Sequence, residues 1–152
     1  MSPGFVRSWT ARDVADVLEA MPPWFLTDLV GVFLLGGTAK QRSLTTKMTY
    51  GIYSAGRIFL FAHSETRLVQ RLPKMPKPSV AREYTKFGAT VNPDDKGGAL
   101  LTFDRSSLRQ FYLYDVLLHE VGHHVDRDEH ADNAERYAHW FAEFQHARLL
   151  DG

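Results

Sequence analysis

None of the 152 residues is cysteine. That excludes disulfides, thiolate metal sites and a cysteine nucleophile, and it leaves the compartment open. A charge excess of either sign is also missing, since 18 Lys and Arg balance 18 Asp and Glu. No global field therefore draws the chain to nucleic acid or to an anionic membrane. Long apolar runs are missing too: the longest, around LVGVFLLGG (29–37), is far too short to span a bilayer. The N-terminus carries Arg7, Arg12 and Asp13 where a signal peptide needs an apolar core. The expectation is a soluble, cytoplasmic protein, with secretion after removal of a signal as the alternative. No internal repeat and no low-complexity tract interrupts the chain. Its length suits one compact domain with a real core, and 44% hydrophobic and 24% charged residues are ordinary for a globular protein.

Thr10 with Asp13 marks a helix start, and Val14, Val17 and Leu18 recur at helical spacing. Pro22 and Pro23 end that helix. The segment WFLTDLVGVFLLGG (24–37) predicts a short helix to about Leu29 and then a strand to Leu35, stopped by Gly36 and Gly37. KMTYGIYSAGRIFLFAH (47–63) predicts a β-hairpin around a glycine-containing turn. A short helical piece is expected over Arg67–Gln70. The three prolines of PKMPKPSV (73–80) forbid regular structure there. NPDDKGG (92–98) predicts a turn and ALLTF (99–103) a short strand. Asp104 or Ser106 can cap a helix that carries Leu108, Phe111, Leu118, Val121 and Val125 on one face. A second helix is expected from near Asp132 to about Leu149. Strands come first and two helices close the chain, so the expected class is α+β.

Inside the first of these two helices stands His119-Glu120-Val121-Gly122-His123, an HExxH sequence. Positions i and i+4 share a helix face one turn apart, so both imidazoles can bind one zinc ion at a tetrahedral site. Glu120 would lie beside the metal and can take a proton from zinc-bound water. Without a partner, such groups are costly in an apolar helix; a cation supplies one. By chance, HExxH arises in roughly one or two chains per hundred of this composition. Chance matches rarely fall within an amphipathic helix flanked by apolar residues.

A zinc site of this type needs three protein ligands and one open position. If the two helices form an antiparallel hairpin, Glu135 comes to lie beside His123, and His139 faces His119 one turn further on. Gly122, Ala138 and Ala142 are small enough to let the helices approach. Glu135 is thus the favoured third ligand, with His139, the turn residues Glu129 and His130, and Asp126 as competitors. A solvated first-turn carboxylate is the bland reading of Glu135. Asp115 and Asp126 stand about one turn from His119 and His123 and could orient their rings. His139, His130, Tyr137 and His146 are candidate donors to a developing oxyanion, His139 first. His63 reads as incidental.

From about Tyr112 to Phe144 the chain resembles the zincin metallopeptidases, and among them the gluzincins, which use HExxH with a downstream Glu. HEVGHHVD (119–126) followed by ERYAHWFAEF (135–144) is similar to the lethal-factor-like and the small IrrE/ImmA-like peptidase domains. The resemblance implies that His119, His123 and Glu135 bind one zinc per chain and that Glu120 is general base and acid; His139 is a catalytic candidate only from its expected place beside the zinc. It implies a zincin-like α+β fold in a single domain over residues 1–152. The N-terminal helix and a small mixed sheet with an edge strand would fill 1–103, and the active-site helix and C-terminal ligand helix 104–152. Its implied activity is a metalloendopeptidase rather than an exopeptidase. The peptide or protein substrate would pair with an edge strand, here expected near residues 57–63. Many gluzincins carry Asp where this chain has His139. Metzincins need Gly at 126 and a ligand at 129, where this chain has Asp and Glu; deformylases need a cysteine ligand.

Arg67, Arg71, Lys74, Lys77, Arg82 and Lys86 form a basic run threaded with prolines. It reads first as a solvated loop and second as a docking surface for an acidic partner or nucleic acid. Two alternatives to the peptidase follow: a catalytically weak binding or regulatory module on the same fold, and a nucleic-acid-associated protease anchored by the 67–86 loop.

Overall fold

The computed structural model describes residues 5–6, 8–36, 49–64, 68–127 and 133–151. They build a mixed α+β structure with the elements β1 (Phe5–Val6), α1 (Ala11–Glu19), β2 (Gly31–Leu35), β3 (Gly51–Ser54), β4 (Arg57–Phe61), β5 (His63–Ser64), β6 (Val69–Leu72), α2 (Pro78–Thr85), β7 (Thr90–Pro93), β8 (Ala99–Thr102), α3 (Arg105–Phe111), α4 (Leu117–Asp126) and α5 (Ala134–Asp151). A 3-10 turn spans Pro23–Leu26 and a π-helical segment Tyr112–Val116. No helix among the described residues is long and apolar enough to cross a membrane. The chain groups into two compact units: residues 1–8, 36–49 and 62–111, and residues 9–35, 50–61 and 112–152.

In the first unit, β6, β8 and β7 form an antiparallel sheet in that order, and β1 pairs with β5. Phe87, Ala89, Leu101, Phe103, Leu108 and Phe111 are its buried core. The turn after β7 is fixed by Asp94, which accepts from the backbone N–H groups of Lys96 (2.9 Å) and Gly98 (2.8 Å) and from Arg71 Nε (2.8 Å). Asp104 caps α3: its carboxylate accepts from Ser107 N–H (2.7 Å), and Ser107 Oγ accepts from Asp104 N–H (2.9 Å).

Two expectations fail in this unit. The segment expected to be helical to Gln70 enters strand β6 at Val69, because Val69–Leu72 pairs in register with Ala99–Thr102; Arg67 lies outside the described residues. The proline run does not exclude a helix, since Pro78 opens α2 within its first turn, where a missing N–H costs nothing. Strand β7 was not anticipated; it gives β8 its second partner.

The second unit carries the HExxH sequence. α1 starts with a reciprocal capping box between Thr10 and Asp13 and buries Val14 and Val17. The short helix expected to reach Leu29 is only the 3-10 turn to Leu26. Its sheet runs β2-β4-β3, with β2 parallel and β3 antiparallel to β4. The β3–β4 hairpin turns through Ala55 (φ 49°) and Gly56 (φ 80°), the backbone signs of a type I′ turn. The strand expected at the edge, β4, is instead central: it has partners on both sides, and Ile58 and Leu60 are fully buried. Among the described residues, the sheet's edges are β2 and β3. Ladder alternation turns the main-chain groups of Ile52 and Ser54 toward β4, continuing the Phe61 N–H to Tyr50 carbonyl bond; those of Gly51 and Tyr53 point outward.

Leu117, Leu118 and Val121 of α4 are fully buried, as is Ala138 of α5. The two helices meet at Gly122, where an added Cβ would come within 3.0 Å of Ala138 Cα and of Phe141 Cβ. The expected small-residue contact between the last two helices is therefore present. The expected start of the second helix, Asp132, lies outside the described residues, and α5 begins at Ala134.

Candidate metal centre

Helix α4 sets the site by its phase. With Leu117, Leu118 and Val121 turned inward, His119 and His123 fall on the adjoining, half-buried face, their rings 4.9 Å apart. The close approach at Gly122 brings the first turn of α5 alongside. There Glu135 spans both imidazoles: Oε2 stands 3.0 Å from His119 Nε2, and Oε1 2.8 Å from His123 Nε2. Glu135 remains 80% exposed, so burial does not force this pose; the two ring nitrogens attract it.

The donor atoms of His119, His123 and Glu135 lie within 4.8 Å of one another. Four donors about 2.0–2.1 Å from a tetrahedral zinc ion stand roughly 3.4 Å apart. The two short histidine–carboxylate distances run to different oxygens of Glu135; with one oxygen serving both histidines, the wider donor separations, up to 4.8 Å, must close by as much as about 1.4 Å to reach that value. Two imidazoles and one carboxylate also match the ion in chemistry. Burial lowers the His119 pKa, with Glu135 opposing and His123 and His139 adding to the fall. A neutral imidazole is the form that binds metal.

Glu120 is only 7% exposed. Burial first, and the negative charge of Glu135 second, raise its pKa to about 7. His139 lies one turn after Glu135, where its Nε2 is 3.3 Å from Glu143 Oε1; it is not part of the three-donor cluster. The competing ligands Glu129 and His130 lie outside the described residues. Asp126 is buried and Asp115 half-buried. Tyr137 packs against Trp140 and Phe141, and His146 stacks on Tyr114. His63 is buried in the first unit, edge-on to Phe103. In the basic run, Arg71 is held by Asp94 and Lys86 lies over the Phe87 ring.

A second network went unseen in the sequence. His124 Nε2 is 2.7 Å from the Thr27 carbonyl and must donate to it. Its Nδ1 then accepts from the Tyr53 hydroxyl at 2.7 Å, which in turn accepts from Gly56 N–H at 3.1 Å. Arg127 Nη1 donates to the same Thr27 carbonyl at 2.9 Å. The Tyr53 ring also lies over that of His123, nearly parallel, with centroids 6.4 Å apart. The doubled histidine of HEVGHH was the available signal: its second member faces the hairpin, about 100° around the helix from the first. Scans against family models, curated proteins and solved structures returned no match to this chain.

Proposed function

We propose that the chain is a zinc-dependent metallopeptidase on a zincin-like fold, with His119, His123 and Glu135 as the metal ligands. The observation that carries this reading is the Glu135 carboxylate bridging both Nε2 atoms of an HExxH pair. An added support is that a buried carboxylate with its pKa near 7 stands in the sequence position of a general base. The reading also draws on the resemblance of residues 112–144 to gluzincins.

A bound zinc ion would polarise the scissile carbonyl and acidify a water. Glu120 takes a proton from the attacking water and returns it to the leaving amine; a pKa near the working pH suits both transfers. The outward N–H and C=O groups of Gly51 and Tyr53 offer an extended peptide an antiparallel edge at β3. That replaces the expectation of pairing near residues 57–63. His139 is the donor assigned to the developing oxyanion, released from Glu143 when substrate enters.

The test is Glu120→Gln, read on a complex peptide pool by mass spectrometry alongside zinc content. The variant should keep its zinc and lose about 100-fold or more of the hydrolysis rate. Undiminished hydrolysis in the variant refutes the mechanism. A zinc-loaded wild type that cuts nothing refutes the peptidase and favours a binding module on the same metal centre.

A further inference from the structure

Beside the metal centre lies a cleft of about 430 Å³ lined by Asp28, Tyr53, Ala55, Gly56, His124 and Arg127. Tyr53 is its shared wall: one side of the ring faces His123, and the hydroxyl holds His124. Nothing in the proposed chemistry uses this cleft. Its charged groups are unequal. Asp28 Oδ2 is 3.8 Å from Arg127 Nη1, and Asp28 is 84% exposed, so the pair contributes little. Arg127 is pinned by its bond to the Thr27 carbonyl, which engages only Nη1. Its backbone is strained, with φ 35° and ψ −125°, in a region where glycine is at ease and arginine is not. The chain therefore places at the cleft a guanidinium that is 44% exposed and, among the described residues, bonded through Nη1 alone, at a backbone cost.

We propose that this cleft is a carboxylate-binding subsite anchored by Arg127. A guanidinium fork matches a carboxylate in two parallel hydrogen bonds. In an antiparallel pairing at β3, the peptide residue opposite Tyr53 projects its side chain on the same face as Tyr53, which is the face of the cleft. The substrate would thus be a peptide carrying a carboxylate at a fixed position from the cut bond, either an acidic side chain or the chain terminus. That substrate assignment rests on the peptidase reading; the anion site itself does not.

The experiment measures binding of short N-acetylated, C-amidated peptides in which one position at a time holds Glu, Gln or Lys, and of the same peptides with a free C-terminal carboxylate. Glu at one position, or the free terminus, should bind about 10- to 100-fold more tightly than its neutral counterpart. Preference within amidated peptides assigns the side chain; preference confined to the free acids assigns the terminus. Arg127→Gly should erase the preference. Glycine suits the local φ, and His124 still donates to the Thr27 carbonyl, so this variant keeps its fold. Asp28→Asn removes the competing carboxylate and should sharpen the preference. Equal binding of Glu and Gln peptides, including none detectable for either, overturns the subsite. So does a preference that survives Arg127→Gly, or a Lys preference lost in Asp28→Asn. Arg127-dependent binding without any hydrolysis would remove the peptidase reading and leave the subsite. Hydrolysis with no Arg127-dependent preference would do the reverse.

Discussion

Replacing Gly122 with alanine tests how the metal centre is held together. In an exposed helix position the change would stabilise the protein by about 1 kcal/mol through helix propensity. Here the new Cβ meets Ala138 Cα and Phe141 Cβ at 3.0 Å, and Phe141 Cδ1 at 3.2 Å. Two of the three obstacles are a backbone atom and the first side-chain carbon, which cannot rotate away. Overpacking of this kind costs about 1–3 kcal/mol. Taking about 2 kcal/mol for the clash and returning about 1 for propensity leaves a net loss of about 1 kcal/mol. For a chain of this size that lowers Tm by about 2–4 °C. Because α5 carries Glu135, the retreat of one helix from the other also draws the carboxylate away from His119 and His123. Zinc affinity should fall together with stability. Gly122→Val, which adds two methyls to a Cβ already in contact, should be worse on both counts. The assays are thermal unfolding of metal-free protein and a zinc titration. A Gly122→Ala variant more stable than wild type, with unchanged zinc affinity, would refute the close approach.

Three further outcomes are expected. Asp104→Ala removes the α3 cap and should cost about 1 kcal/mol at neutral pH. Hydrogen bonds from Ser107 hold the Asp104 pKa below its ordinary value; the carboxylate's contribution is present above the unfolded-state pKa and lost as pH falls through the lower folded one. The gap between wild type and variant in urea unfolding should therefore narrow in strong acid. Glu120 has the opposite sign. Its pKa rises from 4.5 to about 7 in the folded chain, so in metal-free protein its own contribution falls as pH climbs from 4.5 through 7. His119 opposes this, because its lowered pKa adds stability as pH rises toward its unfolded value. The full Glu120 effect is on the order of 3 kcal/mol, and Glu120→Gln should abolish that part of the slope in unfolding measured at pH 5 and pH 8. Tyr53→Phe leaves His124 Nδ1 and Gly56 N–H without their partner and should cost about 1–3 kcal/mol in denaturant unfolding.

What could be read from the sequence was local and periodic. The i, i+4 spacing of His119 and His123, the Thr10 and Asp104 caps and the Ala55–Gly56 turn each depend on a few neighbouring residues. Glu135 and the small residues Gly122, Ala138 and Ala142 were legible because two adjacent helices have few ways to pack. The misread elements depend on distant partners. Val69–Leu72 is a strand because β8 pairs with it, and nothing in its own spacing overcomes a helical appearance. β4 is central because a parallel strand from residues 31–35 pairs on its second side. Within the proline run Pro78 reads as a breaker, although at the head of a helix it is a start signal. The network of Tyr53, His124, Arg127 and the Thr27 carbonyl joins separated segments through single hydrogen bonds, which carry no periodicity at all.

The most direct measurement is zinc per chain in purified, tag-free protein, loaded with zinc and dialysed against metal-free buffer, beside Glu135→Ala treated in the same way. The expected result is about one zinc per wild-type chain and a clear loss in the variant. A wild type that stays near zero after zinc is added back, or a variant that retains zinc as tightly as wild type, would contradict the three-ligand centre.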